Sequence, residues 1–244
     1  MESSTKTLTG GVEMKLIDIR ETIPKHKTRQ WSKQKNVKRI GVHTTASNNQ
    51  NPNATASYHS TPSKDNHIST KGAPGLCYHD FITKDGTVYH CNNYDDVVWH
   101  WGLWNNNSVG VCLAYKGQDG LSPPDEMMLA LEKHLVVLCL YLKVLPSNVY
   151  GHREVPGMFT ILGNGSKKYK KTCPGMGIDL DKLRSSLTKN LQRRLAAEGL
   201  YNGAIDGLFW ENSQRALNAF VPEKAIAQNL DWFTAEDEEL GEME

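Results

Sequence analysis

The chain has 244 residues, 39% apolar and 23% charged, which suits one large domain, or a domain of about 150 to 180 residues with a small module, around a buried core. No apolar run approaches the roughly 18 residues a membrane-spanning helix needs, so integral membrane association is excluded. The formal net charge of +1 hides an asymmetry: residues 236–244 hold six acids and no base, and basic residues are densest at Lys15–Arg39 and at Lys167, Lys168, Lys170 and Lys171. That surplus suits a polyanionic partner, such as nucleic acid or an acidic cell-wall polymer, or it is a solvated basic face.

The opening MESSTKTLTGGVEMK is polar and lacks the apolar core of a secretory signal. It implies a chain made for the cytosol or one that leaves by another route. The five cysteines, Cys77, Cys91, Cys112, Cys139 and Cys173, are odd in number and form no CxxC pair. Neither a disulfide framework nor a zinc ribbon is indicated, although any one of them can serve as a single metal ligand.

In chain order, Val37–His43 is a short β-branched strand with His43 at its end, followed by a polar loop to about residue 75 containing one short helix near Ala54–His59. Tyr78–Ile82 and Thr87–His90 flank Asp85-Gly86 and read as a hairpin, with Tyr78, Asp80 and Ile82 on one face by alternation. Trp99-His100-Trp101 and Trp104 crowd a polar loop before a strand at Val109–Ala114. Those aromatics suggest a lined groove, and the tryptophans either stack on sugars or cap the sheet.

Ser122 as N-cap, Pro123 at the first helical position and Asp125 at N3 predict a helix running to about Lys143. Met128, Leu131, Leu135, Leu138 and Leu142 form its core-facing stripe. Asn148–His152 reads as one more short strand or extended segment, with His152 at its end. Leu180, Leu183, Leu187, Leu191 and Leu195 keep helical spacing up to Gly199, with a second unit beginning near residue 187 and a further helix carrying Ala216, Leu217 and Phe220. The acidic tail after Ala235 reads as disordered.

His43, His152 and Cys173 are the candidate chemistry, because a catalytic zinc takes three nitrogen or sulfur ligands and leaves one position open. A lone histidine is more often an ordinary surface or core residue than a ligand. Their surroundings, Ile40-Gly41-Val42-His43-Thr44-Thr45, Tyr150-Gly151-His152-Arg153-Glu154 and Lys171-Thr172-Cys173-Pro174-Gly175, occur in that order with the tyrosine-bearing hairpin between them. Over residues 35–180 the chain resembles the zinc-dependent N-acetylmuramoyl-L-alanine amidases of the type 2 amidase and peptidoglycan-recognition superfamily, nearest the short phage lysozymes of amidase type. Asn107-Ser108-Val109-Gly110-Val111-Cys112-Leu113 also matches the family's middle segment.

The resemblance implies an α/β fold with a mixed central β-sheet flanked by helices. It implies Zn2+ held by His43, His152 and Cys173, with Tyr78 and Lys171 as catalytic helpers and His100 and Trp101 at the substrate groove. On the residues alone, Tyr78 is equally a structural tyrosine on the sheet, and Lys171 one more lysine in a basic run. Two features depart from the family. The stretch from His152 to Cys173 is long, with Met158–Tyr169 as an apparent insertion that would break the site if it displaced Cys173. Cys112 also stands where some branches carry a glutamate base, which favours the tyrosine-and-lysine version. Cys77, Cys91 and Cys139 are expected to be small buried residues.

Beyond the catalytic part, assigned to residues 1–180, Leu191-Gln192-Arg193-Arg194-Leu195 and Ile205-Asp206-Gly207-Leu208-Phe209 resemble a small three-helix peptidoglycan-binding domain. That gives an all-α module at 187–235 and a tail at 236–244. Trp210 replaces the family's glycine, and the match ends past Phe220. The function implied is hydrolysis of the amide between N-acetylmuramic acid and L-alanine in bacterial peptidoglycan. The implied setting is a phage endolysin waiting in the host cytoplasm and acting on the wall after release. A non-catalytic muropeptide-recognition protein and a stem-peptide endopeptidase on the same fold are the alternatives. Nucleic-acid binding lacks a recognition motif and leaves the His, His and Cys set unexplained.

Overall fold

The computed structural model describes residues 14–117, 120–163 and 165–222. The polar amino terminus, the acidic tail and the last part of the expected C-terminal module lie outside them. The elements are β1 (Leu16–Asp18), β2 (Arg39–Thr44), α1 (Pro52–Ser60), β3 (Asp80–Ile82), β4 (Val88–His90), β5 (Ser108–Leu113), α2 (Asp125–Leu142), β6 (Val149–Gly151), β7 (Phe159–Ile161), β8 (Lys167–Tyr169), α3 (Leu180–Ala197) and α4 (Glu211–Ala219). A six-stranded sheet of order β1-β4-β3-β5-β2-β6 is mixed: only β3 and β4 pair antiparallel. This is the mixed α/β sheet the sequence suggested. Among the described residues no helix is long and apolar enough to cross a membrane.

Register divides the sheet into two faces. Asp80 pairs with Val111 and Val111 with Val42, whereas Phe81 pairs with Cys112 and Cys112 with His43. Side chains alternate along strands, so Val42, Val111 and Asp80 share one face while His43, Cys112 and Phe81 share the other. Asp80 accepts from His134 of α2 at 2.9 Å, which identifies the first face as the one α2 covers. The second face carries the candidate site.

α2 starts at Asp125 rather than Pro123, because the Ser122 hydroxyl donates to the Gly177 carbonyl at 3.2 Å and is not a cap. Asp125 and Glu126 instead put negative charge in the first turn, where the helix dipole favours it. Burial on α2 is wider than one stripe. Val136, Val137, Cys139 and Leu140 are buried along with Leu131, Leu135 and Leu138, because α3 packs on α2 as well. His134 lies buried among them.

Alternation also misplaces Tyr78. It stands in a bend before β3, so its ring turns to the His43 face, 5.4 Å from that imidazole, while Asp80 faces α2. Cys77, Cys91 and Cys139 are buried, and burial pushes their thiols above the ordinary range. α3 continues unbroken past residue 187 and touches both α2 and α4. In the C-terminal part, Gln192 is fully buried. It donates to the Asp206 carboxylate at 3.0 Å and the Leu208 carbonyl at 2.9 Å, and accepts from the Gly207 N–H at 3.0 Å.

Candidate metal centre

Three chain segments converge at the ends of β2 and β6. His43 is the penultimate residue of β2, which pairs with β5 on one side and with the edge strand β6 on the other, and His43 itself is in register with Cys112 of β5. His152 opens a 3-10 turn, His152–Glu154, directly after β6, the parallel neighbour of β2. Cys173 arrives on the loop before α3. The ligand atoms of His43, His152 and Cys173 lie within 4.8 Å of one another, with His43 Nδ1 3.8 Å from Cys173 Sγ.

Residues that the sequence reading left without a role hold this convergence. The Arg153 guanidinium, buried, donates to the carbonyls of Gly175 at 2.5 Å and Ile178 at 2.6 Å, and the Arg153 N–H donates to the Cys173 carbonyl at 2.8 Å. Glu154 accepts from the Gly151 N–H at 2.9 Å and pairs with Arg184 of α3 at 3.0 Å. The turn bearing His152 is thus tied to the loop bearing Cys173. The available signal was the charged pair Arg153-Glu154 placed directly after a strand-end histidine. Met158–Tyr169 leaves this arrangement intact, because β7 and β8 pair as their own antiparallel two-stranded ribbon.

The site's electrostatics favour uncharged histidines. Burial lowers His43 well below the ordinary imidazole range, helped by His100, His152 and Lys171. Burial and the Lys171 charge lower His152 to about 4. Burial raises the Cys173 thiol to about 11, opposed by the Thr44 N–H, which donates to Sγ at 3.4 Å, and by Lys171 and Arg153. Two neutral imidazoles and one thiol, with one side open toward solvent through partly exposed His152 and Cys173, form the His/Cys donor set that suits zinc.

The other expected residues take distinct places. Tyr78 borders the cluster between His43 and His59, and burial, with the nearby Cys112 and Cys173 thiols, pushes its phenol well above the ordinary value. Lys171 is exposed at the rim, where its charge acts on His43, His152 and Cys173. His100 and Trp101 are only 6% and 2% exposed and lie behind His43. His100 Nδ1 is 2.9 Å from His43 Nε2 and the Trp101 ring centre is 5.7 Å from that of His43. Trp101 and Trp104 meet with ring centres 5.6 Å apart and Trp104 also meets Tyr150 and Arg39, whereas Trp99 turns to Trp31 and Arg29. Cys112 is buried beside Tyr78.

Residues 33–176 match the N-acetylmuramoyl-L-alanine amidase family, while no curated protein sequence matches the chain. Among solved structures, the amidase LysC from Clostridium intestinale URNW is similar at a TM-score of 0.55 and 20% identity, covering 71% of this chain and 97% of that one. The Ph2119 endolysin from the Thermus scotoductus MAT2119 bacteriophage Ph2119 aligns with a TM-score of 0.52 and 18% identity, over 70% of this chain and 98% of that one. The drosophila peptidoglycan recognition protein SD gives 0.51 and 16%, over 68% and 91%. At these identities the structural likeness speaks to fold alone, and the family match spans most of the chain: the protein belongs to the N-acetylmuramoyl-L-alanine amidase family.

Proposed function

We propose that this chain is a zinc-dependent amidase that hydrolyses the bond between the lactyl group of N-acetylmuramic acid and L-alanine in bacterial peptidoglycan, acting as a phage endolysin. The observation that carries the reading is the convergence of His43, His152 and Cys173. His43, His152 and Cys173 would hold a zinc ion, whose chemistry would be Lewis acidity and activation of water at neutral pH.

The chain's own residues supply the rest. Tyr78 keeps its proton across the neutral range, so its hydroxyl is a donor for the amide oxygen as negative charge develops there. Lys171, at the solvent rim, places a positive charge on the same side and can pass a proton to the departing amine. The buried wall behind His43 excludes water from the far side of the cluster. A C-terminal module that holds the wall would raise the local concentration of enzyme at an insoluble substrate.

The test is mass spectrometry of fragments released from purified peptidoglycan, with and without a chelator. New L-alanine amino termini that vanish on chelation support the amidase. Uncut wall with zinc bound points to muropeptide recognition, and cuts elsewhere in the stem point to an endopeptidase on the same site.

A further inference from the structure

Behind the candidate metal centre runs a file of hydrogen bonds. His43 Nε2 lies 2.9 Å from His100 Nδ1, and His100 Nε2 lies 2.9 Å from Ser108 Oγ. Ser108 Oγ in turn lies 2.5 Å from the Trp104 carbonyl and 3.2 Å from the Asn105 carbonyl. We propose that His100 and Ser108 form a positioning relay that fixes which nitrogen of His43 faces the metal; the inference rests on the zinc reading above.

The direction of the file follows from its last member. Carbonyl oxygens only accept, so the single Ser108 hydrogen points at them and the Ser108 oxygen must accept from His100 Nε2–H. Both imidazoles are buried, where the doubly protonated form is disfavoured. His100 therefore has a bare Nδ1, which accepts from His43 Nε2–H. That leaves the lone pair of His43 on Nδ1, the atom facing Cys173 Sγ. A ligand histidine is oriented by what its other nitrogen bonds to, and here that partner is a second histidine whose own tautomer a serine fixes.

The surroundings are shaped for this file. A Cβ on Gly110 would sit 2.8 Å from His100 Cγ, and one on Gly41 would sit 2.4 Å from the Trp101 ring and 2.9 Å from His43 Nε2. Two strand positions without side chains thus let the rings lie flat against β2 and β5. Gln34 locks the serine by accepting from its N–H at 3.0 Å and donating to its carbonyl at 2.9 Å. His100 therefore acts through His43 from a buried position.

The test uses the full chain and two readouts. In long-range nitrogen–proton NMR spectra of the metal-free protein near pH 7, His43 and His100 are both expected as the Nε2–H tautomer, and Ser108→Ala is expected to mix the tautomers of His100. Zinc affinity, measured by competition with a chromophoric chelator, is expected to fall 10- to 100-fold in His100→Leu. It is expected to recover largely in His100→Asn, whose Oδ1 replaces the accepting Nδ1. A His43 Nδ1–H tautomer, or equal zinc affinity in His100→Leu and wild type, overturns the relay. Failure of the wild type to bind zinc while both tautomers are as expected overturns the metal reading instead, and with it the relay's purpose.

Discussion

Arg153 Nη1 and the Gly175 carbonyl oxygen are 2.5 Å apart, and this contact joins the turn that carries His152 to the loop that carries Cys173. The same guanidinium reaches Ile178, so one buried side chain spans the loop between β8 and α3. Arg153→Met leaves those carbonyls without their donors and is expected to cost about 2–4 kcal/mol in urea unfolding. Reaction of Cys173 with a thiol reagent in the metal-free protein should speed up as well. Unchanged stability together with unchanged thiol reactivity would remove Arg153 from this role. Arg153→Lys should not rescue, because an ammonium lacks the planar fork that spans two carbonyls.

Gly110 offers a separate check on packing behind the site. Gly110→Ala forces its methyl onto the His100 ring, at 2.8 Å from Cγ, and overpacking of this kind costs about 1–3 kcal/mol. A thermal unfolding midpoint equal to wild type would show that the ring lifts away freely.

His43 and His152 were legible because each follows or ends an extended stretch, and the ends of parallel neighbouring strands meet at one edge of a sheet, whereas Cys173 lies on a loop and was found only through the resemblance of its short motif. Tyr78 was assigned to the wrong face because alternation holds only within a strand, and the bend before β3 rotates it away from Asp80. The depth of His100 and Trp101 was not legible. It depends on the missing side chains of Gly41 and Gly110, which are a strand and a loop away in sequence. Ser122 looked like an N-cap, yet its hydroxyl goes to Gly177 across the fold, a contact that local spacing does not encode.

Metal uptake should release close to one proton at pH 7. His152, held at about 4, and His43, held lower than its ordinary value, are already neutral there, whereas Cys173, at about 11, is still a thiol that must ionise to bind. Affinity should then rise about tenfold per pH unit between those limits, because one proton is exchanged for each metal. Calorimetric titration of zinc in two buffers of different ionisation enthalpy measures the number. Zero protons released would mean that Cys173 does not bind as a thiolate formed on uptake.

Asp80 should control acid stability from the opposite face of the sheet. Its carboxylate is fully buried, which alone would raise its pKa, but His134 at 2.9 Å and His90 at 2.7 Å outweigh burial and hold it well below the ordinary range. A depressed folded value means that the carboxylate stabilises the fold at all pH above its unfolded pKa of about 3.9, and that this contribution disappears as pH falls toward the folded value. Asp80→Asn should therefore lose about 2–4 kcal/mol at pH 7, because a buried carboxylate that accepts from both His90 and His134 is replaced by an amide with one acceptor oxygen. The gap to wild type should narrow below about pH 4, where the unfolded wild-type chain takes up the proton that its folded form resists. Urea unfolding at pH 7 and pH 3 measures both values, and a gap that stays constant between them would show that Asp80 acts by shape and hydrogen bonding instead of by charge.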